Sequence, residues 1–253
     1  MAVSTPRYHA MVSSDWNECL APCGPFDCLA FAYPRLAPEL NAIFRRYTAN
    51  RMSLGEATRR ILQRLPAPLD EHQMDAYLDQ AFATYAGVPD LIEWCAARGI
   101  LFMINTTGFQ GYFQRIFAKG LLPAVPLLSA HPMIRYPGRS TDPAHILTLM
   151  EVGDKGRNTA SAARLFGIPA ERIILMGDSG GDGPHFDWGR RSGARLIGCM
   201  TKFSLQAYCR DKHIAIDRHF GVSYERDMPA DRPREQQFDF LALTSVLEDF
   251  LSV

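Results

Sequence analysis

The sequence has no excess of charge of either sign, because 27 Lys and Arg residues balance 27 Asp and Glu residues in 253. This balance provides no basic field for nucleic acid or for an anionic membrane, so neither is expected as a partner. No apolar run approaches the length of a membrane span, and the apolar stretch near the N-terminus contains His9, Ser13 and Ser14, unlike a signal peptide. We therefore expect a cytoplasmic protein, a monomer or homodimer, that acts on a small metabolite.

Cysteine is also sparse, with six residues scattered along the chain rather than spaced as a disulfide framework. Cys19, Cys23 and Cys28 lie near one another, but they contain no CxxC pair, so ordinary buried thiols are favoured over a metal site. Apolar residues, in contrast, make up 47% of the chain. This is enough to bury the core of one large domain or of a domain with an insert.

The most informative stretch is 173–184, where an apolar strand pattern ends in carboxylates and glycines. Four consecutive apolar residues suit a buried parallel strand, and the glycines allow a sharp turn after it. Ligands of open α/β sheets collect beyond the carboxyl ends of the strands, so Asp178 and Asp182 are expected to face a substrate or a metal. Carboxylate oxygens suit Mg²⁺, although the same residues are also common in solvated turns.

Two familiar ion and phosphate loops are excluded at this stretch. A calcium loop starting at Asp178 would need oxygen ligands at its third and twelfth positions, which are Gly180 and Gly189. A P-loop would need Gly-Lys followed by Ser or Thr, which is absent.

Strand patterns alternate with helical patterns along most of the chain. The strands are predicted at 9–14, 100–104, 124–128, 172–176 and 194–199, each bounded by helical or turn signals. This alternation predicts a doubly wound, Rossmann-like parallel sheet with right-handed crossovers. We predict an exposed loop at 227–237 and a last amphipathic helix at 240–251.

The segment that follows the first strand has a different character. Apolar residues recur at helical spacing over 54–65 and 74–85 with no strand between them, and Ser53 with Glu56 forms a helix-start signal. We therefore predict an α/β core of residues 1–30 and 87–253, with an all-helical cap of residues 31–86 inserted into it.

Polar residues follow several predicted strands and one predicted helix start, and they are expected at one edge of the sheet. They are Asp15, Thr106, Lys155, Asp178 and Asp182. Taken singly, each could be a turn residue, a helix cap or a solvated lysine. Together they suit phosphoryl transfer, with Asp15 attacking phosphorus, Lys155 and Mg²⁺ neutralising charge and Thr106 donating a hydrogen bond.

These residues resemble the four motifs of the haloacid dehalogenase superfamily of phosphatases, in order. The matching stretches are Met11–Asn17, Phe102–Thr106, Lys155–Gly156 and Gly177–Asp182. A helical cap between the first and second motifs is similar to the phosphoserine-phosphatase-like branch. Residues 88–95 with 107–109, and 205–214 with 238–240, are most similar to the 2-hydroxy-3-keto-5-methylthiopentenyl-1-phosphate phosphatases of methionine salvage.

The resemblance implies a role for each motif residue. Asp15 would be the nucleophile and a metal ligand, Asn17 would bind Mg²⁺ through its backbone carbonyl, and Asp178 would be the remaining metal carboxylate. The phosphoryl group would be held by Thr106, Thr107, Gly108 and Lys155. Asp182 would support Asp178 or Lys155 in catalysis.

The chain departs from the family at Asn17, where the phosphatases carry an Asp that protonates the leaving alcohol and then activates water. An amide can do neither, and general acid–base help is worth roughly 10²- to 10⁴-fold in rate. Three explanations remain open. The chain recruits another acid, with Glu18, His9 and His185 as candidates; it is an engineered or natural low-activity form; or it is a phosphate-binding or regulatory protein. A dehalogenase is disfavoured because those relatives lack the carboxylate that Asp178 supplies.

Overall fold

A computed structural model describes residues 8–48 and 51–252. The strands are β1 (Ala10–Ser14), β2 (Ile100–Phe109), β3 (Leu127–His131), β4 (His145–Thr148), β5 (Ile173–Gly177), β6 (Arg195–Cys199) and β7 (Arg218–Phe220). The first six helices are α1 (Asp27–Ala32), α2 (Ala37–Thr48), α3 (Leu54–Leu62), α4 (Glu71–Ala81), α5 (Val88–Ala97) and α6 (Gln110–Ala118). The remaining helices are α7 (Asp154–Phe166), α8 (Gly183–Ser192), α9 (Phe203–Asp211), α10 (Arg232–Glu235) and α11 (Leu243–Leu251).

The seven strands form one parallel sheet in the order β4-β3-β2-β1-β5-β6-β7. The predicted fold class is therefore confirmed. Every residue of β1, β2, β3 and β5 is buried, as expected for parallel strands with helices on both faces. Alternate residues of the central strands enter two apolar clusters, one on each face of the sheet.

Three local predictions are wrong. The strand predicted at 124–128 lies at Leu127–His131, and β2 continues beyond Ile104 to Phe109 because β3 runs beside it, with an irregular pairing between Asn105 and Phe109. The segment predicted as an exposed loop at 227–237 is mostly exposed, but it contains the short helix α10, in which Glu235 is buried.

The helices between β1 and α5 pack mainly against one another, and α4 also packs against α6. Leu40, Ile61 and Met74 belong to the larger of the two apolar clusters together with residues of β1 and β2. The predicted start of α3 is confirmed, because the side chain of Ser53 accepts a hydrogen bond from the amide of Glu56. Glu151, which lies just before α7, accepts hydrogen bonds from the amides of Leu54 and Gly55, 3.0 Å each. Within the described ranges, no helix is both long and apolar enough to cross a membrane.

Candidate active site

The site lies at the carboxyl ends of three neighbouring strands, β2, β1 and β5. Asp15 directly follows β1 and Asp178 directly follows β5, and the amide of Asp15 donates to the carbonyl of Met176 at 3.0 Å. Oxygens of Asp15, Asp178 and Asp182 lie within 4.8 Å of one another, and all three residues are buried. The structure therefore brings together the carboxylates that the sequence placed at one edge of the sheet.

Asp182 organises the turn after β5. One carboxylate oxygen accepts from the amides of Asp178 (2.9 Å) and Ser179 (3.2 Å), and the other accepts from Lys155 Nζ at 2.5 Å. A β-carbon at Gly177 would lie 2.6 Å from the carboxyl carbon of Asp182, so this close approach requires glycine. Burial acts to raise the pKa of Asp182, but Lys155 and the amide donors outweigh it and lower that pKa.

Lys155 is the buried cation of the site. It opens α7, is 1% exposed, and its Nζ lies 3.1 Å from Asp15 Oδ1 as well as bonding Asp182. Burial acts to lower the pKa of Lys155, but the two carboxylates raise it well above its ordinary value. The lysine therefore stays protonated and places a fixed positive charge beside Asp15.

Asp15 is positioned by hydrogen bonds to one of its two oxygens. The backbone amide of Trp16 donates to Oδ1 at 2.7 Å, the oxygen that also lies near Lys155. Burial and the nearby Asp182 raise the pKa of Asp15 to about 6, against the opposing effect of Lys155. The carboxylate form therefore predominates at neutral pH.

Asp178 is the carboxylate whose charge is least compensated. Neither of its oxygens has a hydrogen-bond partner among the described residues, although Lys202 Nζ lies at ion-pair distance, 2.9 Å from Oδ2. Burial raises the pKa of Asp178 well above its usual range, despite the opposing effect of Lys202. A buried carboxylate beside Asp15, with Oδ1 unpartnered and Oδ2 near Lys202, suits a hard divalent cation, which would keep both acidic groups ionised. The donor set therefore fits Mg²⁺.

Asn17 is held by hydrogen bonds on both ends of its amide. Thr106 Oγ1 donates to Asn17 Oδ1 at 3.1 Å, and Asn17 Nδ2 donates to the carbonyl of Cys23 at 3.3 Å. Thr106 is fully buried, and its hydroxyl also accepts from the amide of Gly108. Thr107, rather than Thr106 or Gly108, lines the cleft that contains the carboxylates.

The cleft has two further members that sequence reasoning missed. Tyr47 of α2 lines the cleft, and Lys202, which precedes α9, contacts Asp178. The signal for Lys202 was its place after β6, at the same edge of the sheet as the other polar residues. For Tyr47 there was no signal, because a tyrosine on an amphipathic helix is usually part of the core.

Of the three candidate acids, only Glu18 lines the cleft, and its ion pairs favour the carboxylate form. His9 precedes β1 and so lies at the opposite end of the strand from Asp15. Burial lowers the pKa of His185 to about 3, and its Nε2 is 2.9 Å from Thr159 Oγ1. Burial acts to raise the pKa of Glu18, but its ion pairs with Lys202 and Arg232 lower that pKa.

The fold is a Rossmann-like parallel α/β sheet with its site at the carboxyl ends of the central strands, and solved structures share this fold. A phospho-aspartyl intermediate analogue of phosphoserine phosphatase is similar over 94% of this chain and 99% of its own, at 15% identity and TM-score 0.66. A substrate-bound phosphoserine phosphatase is similar over 94% and 97%, at 16% identity and TM-score 0.67.

A haloacid dehalogenase family hydrolase from Salmonella enterica serovar Typhi covers 96% of this chain and 72% of its own, at 17% identity and TM-score 0.66. No protein-family model and no curated protein matches the sequence. At these identities the comparisons show a shared fold.

Proposed function

We propose that the protein is a Mg²⁺-dependent phosphatase that hydrolyses a small phosphorylated metabolite through an aspartyl-phosphate. The observation that carries the proposal is the convergence of Asp15, Asp178, Asp182 and Lys155 at one edge of the sheet. Phosphoserine phosphatases, to which the fold is similar, are solved as a phospho-aspartyl analogue and with bound substrate.

The proposed reaction has two steps, in which the residues of the site would take the following roles. An oxygen of Asp15 attacks phosphorus, the bond from phosphorus to the substrate oxygen breaks, and that oxygen leaves as an alkoxide that must take up a proton. Water then attacks the aspartyl-phosphate, releasing inorganic phosphate and restoring Asp15. Lys155 stabilises charge on the transferred group, and Asp182 holds Lys155 and the turn that bears Asp178.

Asp15, Asp178 and the backbone carbonyl of Asn17 would hold Mg²⁺. The ion supplies charge neutralisation for the phosphoryl oxygens when it is bound. We also propose that residues 31–86 act as the cap. Phe44 and Tyr47 of α2 line the cleft, so this segment is placed to exclude water and to contact the substrate. A cytoplasmic monomer or homodimer remains part of the proposal, and light scattering would determine the oligomeric state.

The test is phosphate release from a panel of phosphorylated metabolites with and without MgCl₂, the panel including the methionine-salvage enol phosphate that the resemblance suggests. Asp15→Asn is expected to abolish release, because the amide is not a nucleophile. The matched control is Asp79→Asn, an exposed carboxylate that pairs with Lys119. Release that is independent of metal, or retained by Asp15→Asn, would contradict the proposal.

A second candidate function is a phosphate-binding or regulatory protein with little turnover. The observation that favours it is Asn17, whose amide stands where the phosphatases carry an acid. The carboxylates that line the cleft are paired with cations or belong to the candidate metal site. This candidate predicts that phosphate raises the melting temperature without any product release from the panel.

A further inference from the structure

Five charged side chains of alternating sign form a continuous series that starts in the site. Asp178 contacts Lys202 at 2.9 Å, Lys202 bonds Glu18, Glu18 accepts from Arg232 at 2.9 Å, and Arg232 donates to Glu235 at 2.7 Å. We call this series the ion chain. It joins a metal-site carboxylate to the C-terminal segment that contains α10.

The backbone on both sides of Lys202 is fixed. The amide of Lys202 donates to the carbonyl of Asp178 at 2.8 Å, and the amide of Met200 donates to Phe220 at 3.0 Å. Met200 and Glu18 are both non-glycine residues in the left-handed region, with φ of 46° and 58°. Such backbone persists only where surrounding contacts hold it, so the turns at Glu18 and before Lys202 are held in place by their surroundings.

Lys202 lies beside the carboxylate that would bind a divalent cation. Asp178 Oδ2 is the oxygen nearest to the lysine, and it belongs to a carboxylate of the candidate metal site. A divalent ion at Asp178 repels the ammonium group, while Glu18 on the other side of Lys202 offers it a second carboxylate. Lys202 therefore has one partner that it shares with the metal and one that it does not.

We propose that Lys202 is a resident cation that occupies Asp178 in competition with the divalent ion, and that Glu18 draws it away. Lys202 would then lower the affinity for the divalent ion, and Glu18 would raise it. The inference rests on the proposed function in that Asp178 binds the metal, but it assigns a role to two residues outside the phosphoryl-transfer machinery. Lys202 is a positioning residue in this account, since it acts through Asp178.

The test is calorimetric titration of the full chain with MgCl₂, without substrate. Lys202→Met is expected to tighten binding by about tenfold, the order of magnitude for a unit charge near a divalent ion in a water-like dielectric. Glu18→Gln is expected to weaken it by about threefold, and much less in the Lys202→Met background. Lys202→Arg keeps the charge and should bind as the wild type does. Lys119→Met is the matched control, because Lys119 pairs with Asp79 and does not line the cleft.

Unchanged or weaker binding by Lys202→Met, with binding lost in Asp178→Asn, would overturn the inference and leave the proposed function intact. No binding by the wild type or by Lys202→Met at millimolar MgCl₂ would remove the metal-dependent function, and the inference with it. If Lys202→Met does not fold, Glu18→Gln decides. Weaker Mg²⁺ binding by Glu18→Gln, with wild-type binding by Lys202→Arg, supports competition. Unchanged Mg²⁺ binding by Glu18→Gln contradicts it.

Discussion

Replacing Asn17 by Asp should restore the missing proton transfer. Thr106 donates to Asn17 Oδ1, so a carboxylate at this position keeps that bond. It loses the bond from Nδ2 to the carbonyl of Cys23, which costs about 1 kcal/mol of stability and frees one oxygen to turn toward the cleft. General acid catalysis is worth roughly 10²- to 10⁴-fold, or about 3 to 5 kcal/mol of activation free energy.

The gain should depend on the leaving group. An alkyl phosphate expels a basic alkoxide that needs a proton, so its first turnover should accelerate by roughly 10²- to 10⁴-fold in Asn17→Asp. An aryl phosphate expels a stable phenolate, so its first turnover should change by less than about tenfold on the same argument. In the wild type, phenolate release should show a burst followed by slow turnover, because water attack on the aspartyl-phosphate also lacks a base.

The assay is rapid-quench measurement of alcohol or phenol release at enzyme concentrations that resolve the first turnover. Intact mass before and after hydroxylamine checks for the aspartyl-phosphate. Asn41→Asp, an exposed change on α2, controls for the added charge. Equal acceleration of the first turnover for both substrate types would refute the argument that Asn17 deprives the site of its acid.

Two further predictions concern stability. His185 is protonated in the unfolded chain below its ordinary pKa of about 6.5, but burial holds the folded pKa near 3, so the free energy of unfolding should fall by about 2 kcal/mol between pH 7.5 and pH 5. In urea unfolding, His185→Gln should lack this loss of unfolding free energy, whereas His72→Gln should keep it. If the unfolding free energy of the two variants falls equally with pH, His185 is excluded as the cause. Tyr85→Phe should cost about 1.5 to 3 kcal/mol, because the hydroxyl bonds buried Glu235 at 2.6 Å and Arg232 at 3.0 Å. The exposed bond of Tyr33 provides the control, and a loss as small as that of Tyr33→Phe would show that the buried bonds contribute little.

The parts of the fold that sequence analysis predicted are those that local pattern determines. Buried parallel strands are continuously apolar, so β1, β2 and β5 were recognisable, and their carboxyl ends placed Asp15 near Asp178. Strands β4 and β7 were missed because they are short, partly exposed edge strands.

The parts that sequence analysis missed depend on long-range contacts. Helix α10 lies in a segment rich in proline and charge, and only contacts with Tyr85 and Glu18 explain why Arg232 and Glu235 are held there. Lys202 stands before a helix, where a solvated lysine is ordinary, and its role appears only when β6 is placed beside β5. Pairwise chemistry across the sheet has no local signature.

The carboxylate of Glu151 links the segment before α7 to the N-terminus of α3. It accepts hydrogen bonds from the first two amides of α3, although Glu151 itself belongs to the segment that leads into α7. Any outward swing of α3 would break both bonds together and leave two amides for water to solvate. Glu151 lies four residues before Lys155, so the same short segment caps α3 and carries the buried cation of the site.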